Sequence, residues 1–253
     1  MGIKLETLRP LLSFDGLDDY GVIEPFIVYG WPEITIEELM YIFAPQPFNR
    51  WTATGYIGDA WVDKTSTATA IPPSSSNIFT EWKTRAPDGN EVLYRYYWAE
   101  GGNRWTHLIR RFTTSREFSV WVDATKKYSA TVPSDQKTVL EWNPDNATYP
   151  VRYRRFVLGA NVVFSDKMMC KYNLLRIYNR ALNYWEIRWN YENPDAPITN
   201  GLVLWLKMDE GSGNTVYDSS GYNNHGTIYG ATWGFGGPFT KKYQLIYKPK
   251  VVA

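Results

Sequence analysis

The chain has 253 residues, with 27 lysines and arginines against 26 aspartates and glutamates and a formal net charge of +1. That balance excludes a dedicated nucleic-acid binder, which carries a basic excess on one face. The 12 tryptophans, 19 tyrosines and 11 phenylalanines favour strands, whose pleated surface suits aromatic side chains.

The opening residues, Met1 to Leu12, lack the apolar run of a secretory signal. Glu6 stands where a myristoylation signal has serine or threonine. No apolar stretch approaches the ~18 residues of a transmembrane helix, so membrane insertion is not expected. The expectation is production in the cytoplasm or in a virion, with display on a particle surface.

Segment 63–77, rich in threonine, serine, alanine and proline, reads as a long exposed loop. Val92–Trp98 and Trp105–Phe112 are strand candidates. Turns are expected at Pro87-Asp88-Gly89-Asn90 and at Gly101-Gly102-Asn103. Phe118–Asp123 alternates, with Phe118, Val120 and Val122 on one face. Segment 133–150 carries Pro133, Pro144 and Pro150 and reads as a second exposed loop.

Cys170 stands alone, which excludes an internal disulfide and suits a small buried hydrophobe. With only His107 and His225, there is no histidine–cysteine cluster for zinc. Asn183 lies three residues before Glu186, the spacing of a capping box. It predicts a short helix over 183–192, with Ile187 and Trp189–Tyr191 as its apolar side and Asn193-Pro194 as its stop. Leu202–Leu206 alternates again, with Leu202, Leu204 and Leu206 inward. Beyond it, Tyr243, Leu245 and Tyr247 alternate before Lys248, Pro249 and Lys250, a pattern of a protected edge strand or an arm onto a partner. Many short strands at this spacing predict an all-β sandwich or barrel.

Several stretches carry a resemblance. Gly201–Trp233, containing LVLWLKMDEGSGNTVYDSSGYNNHGTIYGATW, resembles the opening strands of the concanavalin A-like, laminin-G-like jelly-roll family. Leu12–Tyr20 and Ile34–Glu37 resemble the strands that follow, and Trp105–Leu108 with Val120–Asp123 resembles the central pair. Leu175–Leu182 and the short helix resemble the closing strand and tail. What opens the family's domain here follows what closes it. The resemblance therefore implies a single permuted sandwich over 1–238, with 201–233 supplying the usual first strands and 239–253 as a C-terminal arm or extra edge strand. The displaced segment either folds back on its own sheets or fills a gap in a neighbour, so that self-assembly would run through 201–253.

The family includes glucanases, which need two carboxylates about 5–5.5 Å apart. Their Glu-x-Asp-x-x-Glu pattern is absent; Glu33, Glu37 and Glu38 come closest, and Glu37 matches a position common in non-catalytic members. An enzyme is not expected. The family often binds Ca²⁺ near the loop that corresponds to 218–224, which names Asp218, Asn223 and Asn224 as ligands, with Asp15, alongside Asp18 and Asp19, as candidates to add further ones. The same asparagines and aspartates also suit local turn hydrogen bonds. For a glycan, Trp51, Tyr56, Trp61 and Trp82 flank the 44–91 region that the family varies most, and they equally suit capping the end of the sandwich. The expected function is a non-catalytic, glycan-binding or adhesive module with a glycan or protein partner. The alternative is a structural capsid, coat or surface-layer protein that assembles through the sandwich and its C-terminal arm.

Overall fold

A computed structural model describes residues 5–7, 9–47, 52–59, 63–73, 75, 77–98, 102–238 and 241–243. In chain order the strands are β1 (Leu5–Thr7), β2 (Pro10–Asp15), β3 (Tyr20–Ile23), β4 (Ile34–Ile42), β5 (Thr52–Asp59) and β6 (Thr65–Ile71). They continue with β7 (Phe79–Arg85), β8 (Glu91–Tyr97), β9 (Trp105–Phe112), β10 (Glu117–Val122), β11 (Thr125–Thr131), β12 (Phe156–Leu158) and β13 (Met169–Tyr178). After helix α1 (Tyr184–Glu192) come β14 (Leu202–Leu206), β15 (Thr215–Val216), β16 (Gly226–Tyr229), β17 (Thr232–Phe235) and β18 (Lys241–Tyr243).

Two antiparallel sheets face each other, a sandwich rather than a barrel. The first runs β11-β10-β9-β4-β13-β2-β17, with β14 also on β13. The second runs β15-β16-β3-β12-β5-β6-β7-β8. The long strand β13 is shared along one edge: Met169–Tyr172 pair with β2, and Leu175–Tyr178 pair with β14. The C-terminal segment thus contributes β14 and β17 to the first sheet and β15 and β16 to the second, all within the same chain. Lys241–Tyr243 pair with Leu5–Thr7 in a separate two-stranded ladder, so part of the expected arm is a strand; Leu245 and Tyr247 lie outside the described residues.

Phe118, Val120 and Val122 enter the core between the sheets, as their alternation predicts. The expectation that Leu202, Leu204 and Leu206 share a face is corrected. The β13–β14 register slips between Ile177 and Tyr178, so Leu204 pairs with Ile177 while Leu202 pairs with Tyr178. That bulge puts Val203, Leu204 and Leu206 in the main core and sends Leu202 to the opposite face, under α1. The loop expected over 63–77 is also corrected. Thr65–Ile71 is β6, buried along its whole length in the middle of the second sheet. Its small and β-branched residues look like loop composition, but they fit a strand covered on both faces.

Helix α1 forms as its capping box dictates. The Asn183 side chain accepts from the Trp185 and Glu186 backbone N–H groups, and the Glu186 carboxylate accepts from the Asn183 N–H. The buried side differs from the expected one: it is Ile187 and Asn190 that face inward, while Trp185 and Trp189 are exposed. Ile187 packs with Ile109, Trp121, Ala124, Tyr178, Leu182 and Leu202 on the outside of the first sheet.

Beneath α1 lies a buried polar cluster. The Glu37 carboxylate accepts from Arg176 Nη1 at 3.0 Å and Asn190 Nδ2 at 2.9 Å, and lies 2.6 Å from His107 Nε2. Burial alone would raise the Glu37 carboxyl, but the Arg176 charge, with His107 and Asn190, overcomes it and holds the group down to about 2. A carboxyl depressed on folding stabilises the native state above its unfolded value, and that contribution is lost as pH falls through the folded one. Stability measured in urea should therefore drop between about pH 4.5 and pH 2, by an amount on the order of a few kcal/mol. Glu37→Gln should be less stable at neutral pH and should lose part of that slope; an unchanged slope would contradict the assignment.

Candidate functional site

The inner face of the first sheet sets up the site on the far side of the second. Glu38 points between the sheets, where Arg110 Nη2 donates to it at 2.9 Å and Tyr172 Oη lies 3.0 Å away. Arg110 also donates to the Gly55 carbonyl at 2.8 Å and to Thr67 Oγ1 at 3.0 Å, which ties the first sheet to β5 and β6. Gly55 has φ +62°, and a side chain there would strike Glu38 and Arg110. The ladder register shifts between Thr54 and Ile57 at this point. This bulge changes the phase of β5. Thr54 and Ile57 face the core, while Ala53 and Tyr56 lie in the cluster on the outer face of the second sheet.

That outer face carries a depression whose cause is the size of two residues. Ala53 pairs with Ala70, and Ala70 with Phe79, along one row across β5, β6 and β7. In the next row Ala68 pairs with Glu81, and Glu81 with Arg95. The two alanines leave a gap that Phe79, Lys83, Arg95 and the 161–166 turn surround. The resulting pocket has a volume of about 220 Å³ and is lined by Thr52, Ala53, Tyr56, Ala70, Phe79, Glu81, Lys83, Arg95, Asn161 and Asp166.

Its polar groups are held in place before any ligand arrives. Arg95 Nε donates to Glu81 at 2.7 Å while the guanidinium lies 4.4 Å over the Phe79 ring. Lys83 Nζ donates to Glu91 at 2.8 Å. Asn161 Nδ2 donates to Ser165 Oγ and to the Asp166 carboxylate, and Asn161 Oδ1 accepts from the Val163 and Ser165 N–H groups. Beyond the 161–166 turn, Phe164 stacks on Tyr20 at 4.2 Å, and Tyr20 on Tyr229 at 4.6 Å. Burial pushes the Tyr56 hydroxyl far above its ordinary value, so it stays a neutral hydrogen-bonding group at any working pH.

The expected glycan residues separate. Tyr56 lines the pocket. Trp82 does not, which corrects its assignment: it is fully buried between the sheets and stacks on Phe112 at 5.0 Å. The two-residue period of β7 explains this, since Phe79, Glu81 and Lys83 take the outer face and Trp82 the inner. Trp51 and Trp61 lie outside the described residues. Phe79, Glu81, Arg95, Asn161 and Asp166 were not singled out from sequence; the alternation of β7 was the available signal.

The residues expected to bind calcium do not form one constellation. Asp218 accepts from the N–H groups of Trp205 at 2.8 Å, Ser220 at 2.9 Å and Asn224 at 3.0 Å, and from Ser220 Oγ at 2.8 Å. Asn224 Nδ2 donates to the Val203 carbonyl, and His225 Nδ1 accepts from the Asp218 N–H. Asp218 thus spends both oxygens on protein donors, and its loop is a hydrogen-bonded staple that ties β14 to the turn. Asn223 takes a left-handed conformation at φ +61°, the role of a turn residue. Asp15 instead gathers with Asp18 and Asp19, their carboxylate oxygens within 4.8 Å of one another. Burial, and then the charges of Asp15 and Asp18, raise the Asp19 carboxyl. The three carboxylates suit a cation in chemistry, while Asp15 Oδ1 and Asp19 Oδ2 already accept from the Leu17 and Asp15 N–H groups.

Glu33, Glu37 and Glu38 are engaged in structural bonds. Glu33 accepts from the Thr114 and Ala181 N–H groups, and the other two form the buried clusters described above.

No family model and no curated protein matches this chain. Solved structures do. A candidate carbohydrate-binding protein from Bacteroides ovatus ATCC 8483 superposes with a TM-score of 0.61 at 16% identity, over 93% of this chain and 62% of that one. A heptameric SAP-like pentraxin from Limulus polyphemus gives 0.53 at 10% identity, over 90% of this chain and 95% of that one. The binding domain of botulinum neurotoxin serotype D gives 0.52 at 12% identity, over 73% and 43%. The chain spans less than two thirds of the Bacteroides and neurotoxin structures. At these identities the likeness establishes a shared jelly-roll sandwich.

Proposed function

We propose that this chain is a non-catalytic glycan-binding module, displayed on a particle or cell surface, and that its ligand sits in the pocket on the outer face of the second sheet. The observation that carries this is the pocket itself: an apolar floor of Ala53, Ala70 and Phe79 ringed by the fixed polar groups of Glu81, Lys83, Arg95, Asn161 and Asp166. Small-molecule sites likewise set convergent polar groups about an apolar floor. Sugars need both, since their C–H faces pack on apolar surface while hydroxyls seek amides and carboxylates. Two of the similar structures support the reading, one described as a candidate carbohydrate-binding protein and one as a toxin's binding domain. On the same footing we place the fold in the concanavalin A-like, laminin-G-like group, with its opening strands moved to 201–233.

A glycan array probed with the protein and with Ala70→Leu tests this. The added leucine grows from the pocket floor into the open space, so it fills the site with little disturbance of the core. Signals present for the parent should fall at least tenfold in the variant while its melting temperature stays close to the parent's. Equal signals from both would overturn the assignment.

A further inference from the structure

Resting on that reading, we infer that the pocket selects a single uncharged pyranose-sized ring and rejects sialic and uronic acids. Arg95 and Lys83 among its lining residues could attract an anion, but each already holds a carboxylate. Arg95 is bonded to Glu81, whose side chain is 7% exposed, and Lys83, 9% exposed, is bonded to Glu91. Arg95 also lies 4.4 Å over the Phe79 ring, a second contact its guanidinium would leave if it swung to a new partner. Against these two cations stand two carboxylates of the lining itself, Glu81 and Asp166.

An anionic sugar would have to give up its own hydration for two cations whose charges Glu81 and Glu91 already balance, an exchange that returns little. It would also approach Asp166, whose charge opposes it. A neutral ring meets neither cost. Its hydroxyls accept from the outward N–H groups of Arg95 and donate to Glu81 or Asp166, which remain acceptors while bonded. A cationic sugar is disfavoured by the same balance, since Lys83 and Arg95 are already in place. Size points the same way. The pocket's volume of about 220 Å³ is below the roughly 300–1,000 Å³ of drug-sized sites, which leaves room for one ring.

Saturation-transfer NMR decides this with defined probes: the methyl glycosides of glucose, galactose and mannose, against N-acetylneuraminic acid and glucuronic acid. At least one neutral glycoside should show transfer that falls tenfold or more in Ala70→Leu and in Asp166→Asn, and that is unchanged between low and high salt. The acids should show none that depends on these residues. Transfer to an acid that is lost in Ala70→Leu and weakens with salt would overturn the inference and leave the glycan-binding reading standing. Transfer that is the same in the parent and both variants for every probe would overturn the reading and the inference together. Two variants are used because either alone could disturb the fold, and each is checked by its melting curve.

Discussion

Arg110→Met should cost about 3–5 kcal/mol in urea unfolding, the loss expected when one partner of a buried ion pair is removed. Glu38 and Arg110 have fully buried side chains 2.9 Å apart. Without the guanidinium, the Glu38 carboxylate is left with the Tyr172 hydroxyl at 3.0 Å among the described residues, and Gly55 O and Thr67 Oγ1 lose their Arg110 donor. A cost of this size is a large share of the 5–15 kcal/mol that holds an ordinary domain together. The double variant Glu38→Leu with Arg110→Met should recover much of the loss, because it removes both charges at once. A single variant that loses less than about 1 kcal/mol would mean that the pair does not tie the sheets together. The pair also sets the β5 bulge through Gly55, so the single variant should weaken ligand binding at the outward-facing pocket as well.

Removing residues 197–253 should abolish cooperative unfolding altogether. The deletion takes away β14 and β17 from the first sheet and β15 and β16 from the second. It also removes Val203, Leu204, Leu206, Met208, Val216 and Ile228 from the main core. At roughly 1.5–3 kcal/mol for each large apolar side chain buried, the loss matches or exceeds a domain's whole margin. Staple bonds go with it, including those from Trp205 and Asn224 to Asp218. The separate peptide spanning 197–253 should restore the transition when added back. A truncated protein that melts like the parent would show that the C-terminal segment is not part of the sandwich.

Much of this architecture was legible in the sequence because its signals are local. The capping box of Asn183 and Glu186 needs only four adjacent residues, and the alternation of Phe118, Val120 and Val122 needs only one strand. What escaped depends on partners far along the chain. The bulge that turns Leu202 under α1 is a property of the β13–β14 ladder, not of Leu202–Leu206 alone. Thr65–Ile71 has the composition of a loop and becomes a strand because β5 and β7 flank it.

The pocket was hardest to foresee. It exists because Ala53 and Ala70 meet across two strands and because a turn at 161–166 closes over them. Tyr56, one of the aromatics named from the sequence, lines the pocket, and the Gly55 bulge that accompanies its outward position depends on a ladder that no local pattern encodes. Trp82 was misplaced for want of one step, since its neighbours Glu81 and Lys83 already required the opposite face of β7.

The outer face of the second sheet is the proposed binding surface. Hydrogen exchange measured with and without the best glycan from the array tests it most directly. Added protection is expected in Thr52–Asp59, Phe79–Arg85, Glu91–Tyr97 and the 161–166 turn. Protection confined to α1 or to the 218–225 loop, with those four segments unchanged, would contradict it.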